Sequence, residues 1–362
     1  MMANNITKSK SHRISPESLK QFCVSALSAA GLGPKDQDSV ATALVLADSM
    51  GVFTHGTKLL VGYLNRLRGG GYLPNANPSV IREGPAWAII DGANALGQVG
   101  GSFAMNIAIE KAKSCGVAYV GLKNTGHIGA AGYYAILAAE AGMAGLVLGN
   151  DIPSVAAPGS RGPVLGSNPL AYGIPVPGED PILLDMATSA VAGGKVYAAF
   201  QRGEQIPDTW LVGADGMPTT DGKLYPHHAS LAPMAGHKGY GIALWAEILS
   251  AVIPGGAVTW QVGSWMFDEP SKPSLHNAAF LAIDVLSISG EDNFTKTIQK
   301  LIKEVREASP AEGSSGVQIP GQREWTQKRD SESNGIPLPE DVLGKLNQVA
   351  LDWKLITPWP QE

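Results

Sequence analysis

The sequence lacks the glycine fingerprints that mark the common nucleotide-binding folds. Neither Gly-x-Gly-x-x-Gly nor Gly-x-x-x-x-Gly-Lys-Ser/Thr occurs in its 362 residues, so neither a standard Rossmann domain nor a P-loop is supported. It also lacks His-Glu-x-x-His and paired cysteines, and the adjacent His227 and His228 would point apart on a regular element. We therefore expect no metal site.

Cysteine, clustered charge and long apolar runs are equally scarce. Only Cys23 and Cys115 occur, each inside an apolar helical pattern, which excludes a disulfide framework and predicts a reducing, cytoplasmic location. The net charge of -5, with scattered basic residues, gives no surface for a phosphate backbone, so no nucleic acid partner is expected. The longest apolar run, 241–258, is interrupted by Glu247 and Pro254, and it is too short and too polar to span a bilayer. We expect a soluble protein with no membrane partner.

Composition and periodicity predict an α/β protein with a helical N-terminal lobe. Hydrophobic residues make up 44% of the chain and charged residues 16%, which is enough to bury a large core. We predict a disordered tail at 1–13, a helical lobe at 14–78 and an α/β region at 79–323. A C-terminal helix at 324–353 is expected to pack with the N-terminal lobe.

Two kinds of periodicity divide the chain. Ser15-Pro16 begins the best-marked helix, with an N-cap followed by proline at the first helical position. Further helical patterns cover 36–50, 59–67, 101–114, 130–141, 188–200, 238–252, 293–308 and 338–352. Strand-like runs cover 86–90, 117–122, 145–148, 182–184 and 280–285. Two long irregular segments, 152–181 and 203–236, are of the kind that lines sites in enzymes.

Thr54-His55-Gly56 places a hydroxyl beside an imidazole at the joint between two helical patterns. Imidazole titrates near neutral pH and can pass a proton to an alkoxide or an amine. Taken alone, such a histidine is more often a helix cap or a core residue. His55 becomes a candidate acid–base group through the other motifs of the chain.

Several glycine-rich or strand-end segments are candidates for ligand contact, each with a purely structural alternative. Segment 126–132 follows a strand and opens a helix, so it is either a binding site for an anion or carbonyl or simply a tight turn. Asp185 ends an apolar strand, where it is either an N-cap or the group that orients a catalytic hydroxyl or imidazole. Segment 236–241 is glycine-rich and positively charged before a helix, so it either binds a pyrophosphate or only caps the helix. Segment 319–324 offers exposed backbone and an arginine, or a solvated loop. Asn168 could orient a substrate carbonyl, although Asn-Pro is itself a turn signal.

In this order, these residues resemble the type 2 malate/L-lactate dehydrogenase family. That family also includes ureidoglycolate dehydrogenase, sulfolactate dehydrogenase, diketogulonate reductase and cyclic-imine carboxylate reductases. The resemblance runs from about Ile14 to Trp353 and includes the segments 206–210 and 216–221. It implies the family's non-Rossmann fold, with a mixed sheet flanked by helices. It also implies an NAD(P)-dependent oxidoreductase that acts on a small molecule as a homodimer.

The resemblance implies roles for individual residues. His55 is similar to the family's proton donor, and Thr54 stands where a serine is usual. Asp185 matches the carboxylate that completes a relay with that hydroxyl. His127 corresponds to a second histidine near substrate and cofactor, to which some members assign the acid–base role. The implied cofactor contacts are His127, Ile128, Gly129, Ala130, Ala131, Leu183, Leu184, Asp185, Met186, Ala187, Thr188, Ser189, His237, Lys238, Pro320, Gly321 and Gln322.

One departure from the family concerns the substrate carboxylate. Four residues after the catalytic histidine, many members carry an arginine, and this chain has Leu59. An arginine forks onto a carboxylate with two charge-assisted hydrogen bonds, each worth roughly 1.5–3 kcal/mol, and leucine supplies none. Lys58 is the neighbouring cation and the candidate substrate contact, although one step along a helix turns a side chain by about 100°.

The resulting hypothesis is reversible hydride transfer between a nicotinamide ring and a 2-oxo, 2-hydroxy or 2-imino acid, with His55 moving the proton. Glu179 and Asp180 precede the strand that leads to the cofactor residues, and acidic groups there favour NAD, with NADP as the alternative. Three other functions are a cyclic-imine carboxylate reductase, a non-catalytic family scaffold that binds dinucleotide, and a hydrolase that uses Thr54, His55 and Asp185 as a triad.

Overall fold

The structure is a computed structural model that describes residues 12–360. Contacts divide the chain into two compact units, one from residues 12–65 and 323–360 and the other from Arg66–Gln322. The predicted tail at 1–13 lies outside the described residues except for its last two positions, which belong to a strand. The sequence places the boundary between lobe and α/β region at 78/79, whereas the contact units divide inside a helix that begins at Leu60.

The elements are as follows. The α-helices of the described residues are α1 (Pro16–Ala29), α2 (Pro34–Ser49), α3 (Leu60–Gly69), α4 (Gly97–Cys115), α5 (Ala131–Glu140), α6 (Gly193–Gln201), α7 (His237–Glu247), α8 (Val285–Ser289), α9 (Glu291–Arg306), α10 (Gln322–Asn334) and α11 (Glu340–Trp353). The strands are β1 (His12–Ile14), β2 (Ser79–Gly84), β3 (Trp87–Asp91), β4 (Val117–Thr125), β5 (Ala144–Gly149), β6 (Val155–Ala156), β7 (Pro163–Leu165), β8 (Leu170–Ile174), β9 (Ile182–Met186), β10 (Leu211–Gly213), β11 (Pro218–Thr219), β12 (Ala229–Leu231), β13 (His276–Ile283) and β14 (Ile336–Leu338). A π-helical turn, Ile248–Val252, continues α7.

The first unit is helical apart from one strand pair. Ser15 caps α1 by accepting a hydrogen bond from the N–H of Ser18, as the sequence predicts. Helix α1 packs against α2 and α11, and β1 pairs antiparallel with β14. The rings of Phe22 and Trp359 meet edge to face with centroids 5.0 Å apart. Residues from both ends of the chain therefore share one core in this unit.

The second unit is built on a seven-stranded mixed sheet. Its strand order is β2-β3-β4-β13-β5-β8-β9. Only β3 and β4 run parallel among these neighbours, and every other pair is antiparallel. Strand β13 comes late in the chain, yet it lies between β4 and β5. This insertion brings residues near position 276 beside residues near positions 125 and 150.

Helices cover both faces of this sheet. Successive side chains of a strand point to opposite faces, so neighbouring buried residues of β13 contact different helices. Phe280 of β13 meets Tyr134 of α5, with ring centroids 5.4 Å apart. The neighbouring Ala279 packs instead with Ala246 and Leu249, from α7 and the π-helical turn. The predicted α/β class and mixed sheet flanked by helices are confirmed.

The predicted irregular segments contain a second, smaller sheet. Its strand order is β11-β10-β12-β6-β7, and its apolar side chains pack around Val196 of α6. Its strands, of two or three residues each, are too short to show a period of two, so they leave no visible pattern in 152–181 and 203–236. Segment 152–181 also contains the five-residue β8 of the large sheet, which the sequence pattern did not reveal. The helix expected at 188–200 begins only at Gly193, because Ser189 forms a bridge with Pro233.

The C-terminal region also differs from the expected single helix. It contains α10 and α11, separated by β14. Helix α10 buries few side chains, among them Trp325 and Ser331. Because its sequence is polar on most of its circumference, it lacks the apolar stripe that reveals a surface helix.

Candidate active site

The carboxyl end of β9 joins three of the predicted cofactor segments. Oδ2 of Asp185 accepts a hydrogen bond from the backbone N–H of Gly132 at 2.8 Å, in the first turn of α5. The N–H of Leu183 donates to the carbonyl oxygen of Pro320 at 3.1 Å. Gly321 has φ +89°, and a Cβ there would lie 2.8 Å from Cβ of Leu183. The segments 127–131, 183–189 and 320–322 therefore lie side by side within the second unit.

The fourth predicted segment lies against the same strand end. The N–H of Met234 donates to the carbonyl oxygen of Thr188 at 2.9 Å, which holds the chain just before α7. Gly236, with φ +62°, turns the chain into the helix, and His237 and Lys238 are exposed at its start. Unpaired N–H groups at a helix N-terminus and a lysine both attract anions. The four segments together form one surface of glycine-rich turns and cationic groups.

His127 lies in the turn between β4 and α5, in contact with an aromatic wall. Its ring stacks on the indole of Trp265, with centroids 4.7 Å apart and planes 17° from parallel. Its backbone N–H donates to the hydroxyl of Tyr72 at 3.2 Å. The imidazole is therefore held on one face, and its backbone is fixed by a buried phenol.

A buried histidine, absent from the sequence prediction, extends this site. His276 begins β13 and contacts the His127 ring edge to face, with centroids 5.8 Å apart. Its Nε2 is 3.1 Å from Oδ1 of Asp151, and its Nδ1 is 2.9 Å from Oγ of Ser274. Ser274 is in turn 3.0 Å from the Tyr72 hydroxyl. A continuous chain of polar contacts therefore links Asp151 to the backbone of His127.

The Asp151 carboxylate is kept ionised by this environment. Burial by itself would raise the pKa of Asp151, but the hydrogen bond with His276 and the positive charges that His276 and His127 carry when protonated outweigh it. The pKa of the carboxyl is therefore held below its ordinary value. A carboxylate beside two imidazoles is a suitable group for proton transfer or for holding a hydrogen-bond donor.

Trp265 belongs to a loop that a buried arginine supports. The guanidinium of Arg66, from α3, donates to five backbone carbonyl oxygens, those of Ser264, Trp265, Asp268, Glu269 and Lys272, at 2.6–3.0 Å. The side chain of Arg66 is almost completely buried. Because these five carbonyls face one cation, the loop has a defined shape against His127.

Asn168, predicted to contact substrate, is buried and has protein partners. Its Oδ1 accepts from the N–H of Asp151 at 3.2 Å, and its Nδ2 donates to the Ala243 carbonyl and to a carboxylate oxygen of Glu247. These contacts fix the backbone that carries Asp151. A direct contact between Asn168 and substrate stays a prediction.

Thr54 and His55 lie in the first unit, at the turn between α2 and α3. Thr54 Oγ1 is 3.0 Å from His55 Nδ1, so the predicted neighbours are in hydrogen-bonding contact. Thr54 is exposed and His55 is half-buried. The predicted relay to Asp185 stays a prediction, since the described contact of that carboxylate is with Gly132 in the second unit.

A buried carboxyl supports this turn from below. Oδ2 of Asp48 accepts hydrogen bonds from the N–H of Thr57 at 3.0 Å and from its hydroxyl at 2.5 Å. A Cβ at position 56 would lie 1.7 Å from Oδ1 of Asp48, so Gly56 is required by this close approach. Burial raises the pKa of Asp48 to about 7, and the hydrogen bonds from Thr57 limit the rise. The carboxyl that holds Thr57, two residues after His55, therefore changes charge near neutral pH.

Lys58, the predicted substrate cation, is engaged by an acid of its own unit. Its Nζ is 2.5 Å from Oδ2 of Asp341 in α11. Both side chains are well exposed, so the pair is worth no more than about 1 kcal/mol. Leu59 is half-buried and supplies no charge. That Lys58 binds substrate stays a prediction.

Comparison with known proteins identifies the family. The model of the malate/L-lactate dehydrogenase family matches residues 14–347. The chain belongs to that family. The malate dehydrogenase of Pyrococcus abyssi is 35% identical over 345 residues, which cover 93% of this chain and 94% of the relative. The ureidoglycolate dehydrogenase (NAD(+)) of Escherichia coli K12 is 36% identical over 341 residues, which cover 94% of this chain and 96% of the relative.

The solved structure of a malate dehydrogenase has the same fold. The crystal structure of malate dehydrogenase from Entamoeba histolytica matches with a TM-score of 0.89 and 29% identity, and covers 96% of this chain and 99% of that one. The relatives also include a Delta(1)-pyrroline-2-carboxylate/Delta(1)-piperideine-2-carboxylate reductase of Pseudomonas putida, 30% identical over 83% of this chain and 85% of its own length. The predicted family, fold and enzyme class are confirmed. This family member is an oxidoreductase that acts on CH–OH groups, and its family implies a nicotinamide cofactor.

The surface at the end of β9 fits a dinucleotide. Gly321 lets its segment approach Leu183 closely, and a Cβ at Gly236 would meet nothing within 4 Å. The start of α7 is therefore open, and Lys238 adds a positive charge. These are the features that a pyrophosphate requires of a protein surface.

The described residues contain neither a metal-ligand cluster nor a membrane-spanning helix. Among residues 12–360, no three His, Cys, Asp or Glu side chains are grouped as metal ligands would be. Within the same residues, no helix combines the length and the hydropathy needed to cross a membrane.

Proposed function

We propose that the protein catalyses reversible hydride transfer between NAD and a 2-oxo or 2-hydroxy acid of the malate, lactate or ureidoglycolate type. The observation that carries this proposal is the meeting of four predicted cofactor segments at the end of β9, beside Asp185 and Thr188, in a chain of the malate/L-lactate dehydrogenase family. We place this activity in the cytoplasm, since both cysteines are free thiols.

In this proposal the cofactor is held by the four segments around β9. The start of α7, with His237 and Lys238, faces the pyrophosphate. The 127–131 turn, the 183–189 strand end and the 320–322 segment supply backbone groups. When bound, the nicotinamide ring gives or takes the hydride. The relative named as an NAD(+) enzyme supports NAD, as do the acidic residues Glu179 and Asp180, although Glu179 is paired with Arg306 at 2.7 Å.

His55 moves the proton in this proposal, and His127 orients the substrate. The Thr54 hydroxyl holds the His55 ring through Nδ1, which fixes the ring for transfer to or from the substrate oxygen. Asp185 would complete the relay, as the family resemblance implies. The aromatic wall of Trp265 restricts the His127 ring, so His127 can point a fixed nitrogen at the substrate carbonyl.

A second candidate function is the reduction of cyclic imine carboxylates. Leu59 replaces the arginine that would grip a substrate carboxylate, and Lys58 is paired with Asp341. The site has therefore lost one device for a dicarboxylic acid. An imine nitrogen needs a proton from the same kind of imidazole, and one relative is a reductase of such imines.

A substrate screen distinguishes these functions. Purified protein is mixed with NADH or NADPH and with oxaloacetate, pyruvate, oxalurate or a cyclic imine carboxylate, and the 340-nm absorbance is followed. We expect turnover with NADH and with at least one 2-oxo acid. Turnover with imines alone would establish the second candidate. Cofactor binding without turnover across the whole panel would contradict both and favour a non-catalytic scaffold, and ester cleavage without cofactor would favour a hydrolase.

We also propose that the enzyme is a homodimer. One face of α7 and the π-helical turn is apolar and exposed, with side chains spaced as on a helical face, and Trp245 and Val252 are 54% and 55% exposed. Exposed apolar patches of this kind mark protein interfaces. Light scattering should give twice the chain mass for the wild type, and the chain mass for the double variant Trp245→Glu, Val252→Glu. Met217→Glu, at an equally exposed apolar position, should stay dimeric. A monomeric wild type would refute the proposal.

A further inference from the structure

His276 is buried, yet both of its ring nitrogens have polar partners. It is 2% exposed, whereas the side chain of Asp151 is 26% exposed. Only the carboxylate of this pair therefore reaches the surface where a ligand can bind. His276 lies behind it, between Asp151 on one side and Ser274 on the other.

The two oxygens of Asp151 are in different situations. Oδ1 accepts from the N–H of Ile152 at 2.8 Å and is 3.1 Å from Nε2 of His276. Oδ2 has no hydrogen-bond donor among the residues that the structure describes. A half-buried carboxylate with one saturated oxygen and one open oxygen is aimed at an external donor.

We propose, building on the function proposed above, that His276 is a positioning residue that fixes Asp151 so that its Oδ2 accepts a hydrogen bond from a substrate hydroxyl or N–H group other than the reacting one, whose proton is exchanged with His55. The substrate class that fits is a 2-oxo or 2-hydroxy acid with a second hydrogen-bond donor, such as an amide N–H or a further hydroxyl. Asp151 would hold that donor beside the His127 ring.

The charges around Asp151 act in the direction that this role needs. Protonated His276 and His127 both favour the ionised carboxyl. Tyr72 and Tyr225 are close enough for the Asp151 charge to add to the effect of burial, which raises the pKa of both phenols. Neutral phenols place no negative charge beside the carboxylate. The guanidinium of Arg66 lowers the pKa of Tyr72, whereas Asp151 raises it. Removal of His276 should therefore raise the pKa of Asp151.

The test is the pH dependence of kcat/KM in His276 variants. The profile is measured for reduction, because the imidazole donor must then be protonated and its titration gives the alkaline limb. Loss of the hydrogen bond and of the neighbouring charge in His276→Phe should move the acid limb to higher pH by about one unit or more. The maximum of kcat/KM between the two limbs should change by less than about tenfold, because Asp151 itself remains. His276→Gln, which keeps an N–H donor but not the charge, should shift the limb less, and Ser274→Ala should leave it in place. A limb that stays fixed in both His276 variants would overturn the proposal.

A second readout is independent of turnover. Protein labelled with 13C at aspartate Cγ is titrated by NMR, and the Asp151 signal is assigned by its loss in Asp151→Asn. Its midpoint should lie below the ordinary range in the wild type and rise by about one unit or more in His276→Phe. If no substrate were turned over, the proposed function would fail while this titration still decided the effect of His276. An unchanged midpoint in an active enzyme would refute the role of His276 alone.

Discussion

Replacement of His55 by alanine is expected to lower kcat/KM about 100- to 10,000-fold, the range for loss of a positioned acid–base group. The reason is that His55 is the proposed proton carrier, and the Thr54 hydroxyl in contact with its Nδ1 does not titrate near neutral pH and cannot replace it. Binding of NADH, measured by fluorescence titration, should stay within about threefold, because the proposed cofactor segments belong to the second unit.

The comparison with His127 decides between two roles. If His127 only orients substrate, His127→Ala should raise KM and leave unchanged the dependence of kcat on pH near neutrality. If His127 is the proton donor, His127→Ala should show the large loss of kcat/KM, and His55→Ala should show only the raised KM. His228→Ala, at an exposed histidine outside the site, should behave as the wild type. Full activity of both His55→Ala and His127→Ala would show that neither imidazole moves the proton.

The proposed cofactor side of the site is visible in the sequence because its signals are local. Glycines that allow positive φ, such as Gly236 and Gly321, and a carboxylate at a strand end are features of a few neighbouring residues. Each pattern predicts a turn or a strand end by itself. That four such segments meet at β9 follows only from strand pairing, which the family resemblance supplied.

Asp151 and His276 were not predicted as site residues because their contacts join positions that are far apart in the sequence. Asp151 and His276 are 125 residues apart, and they meet only because β13 inserts between β4 and β5. No local period predicts that insertion. The one signal in the sequence is position: Asp151 follows a strand-like run, and His276 precedes one. Trp265 gave no signal, since its place against His127 depends on a loop held by Arg66.

The same contrast holds for the fold. Helix α1 is predicted closely because Ser15 and Pro16 mark its start and its apolar face is regular. Five of the seven strands of the large sheet are predicted because buried strands read as apolar runs. Strands β2, which is mostly exposed, and β8, which is only alternately buried, were missed. The break that separates α10 from α11, within the predicted helix at 324–353, and the small sheet were not predicted. A polar helix and strands of two or three residues carry too few apolar positions to show where a period begins and ends.

Replacement of Arg66 by methionine is expected to lower the free energy of unfolding by about 4 kcal/mol, since it leaves several carbonyl oxygens without a donor at about 1–3 kcal/mol each. The free energy of unfolding of Arg66→Lys should lie between those of the wild type and Arg66→Met. An ammonium offers three N–H donors, whereas the guanidinium has five, one for each of the five carbonyls. Arg68→Met, at an exposed position of the same helix, should change stability by less than about 0.5 kcal/mol. Urea unfolding followed by circular dichroism measures all three.

The Arg66 variants also test whether the loop matters for chemistry. The carbonyls that Arg66 binds include that of Trp265 itself, whose indole lies against His127. A looser loop should therefore speed amide hydrogen exchange at 264–272 in Arg66→Lys and lower kcat/KM, while the α7 face that we propose for dimerisation stays protected. If Arg66→Met unfolded at the wild-type urea concentration, the five carbonyls would have found water instead. The loop would then owe its shape to its own turns, and Trp265 would not depend on Arg66 for its place beside His127.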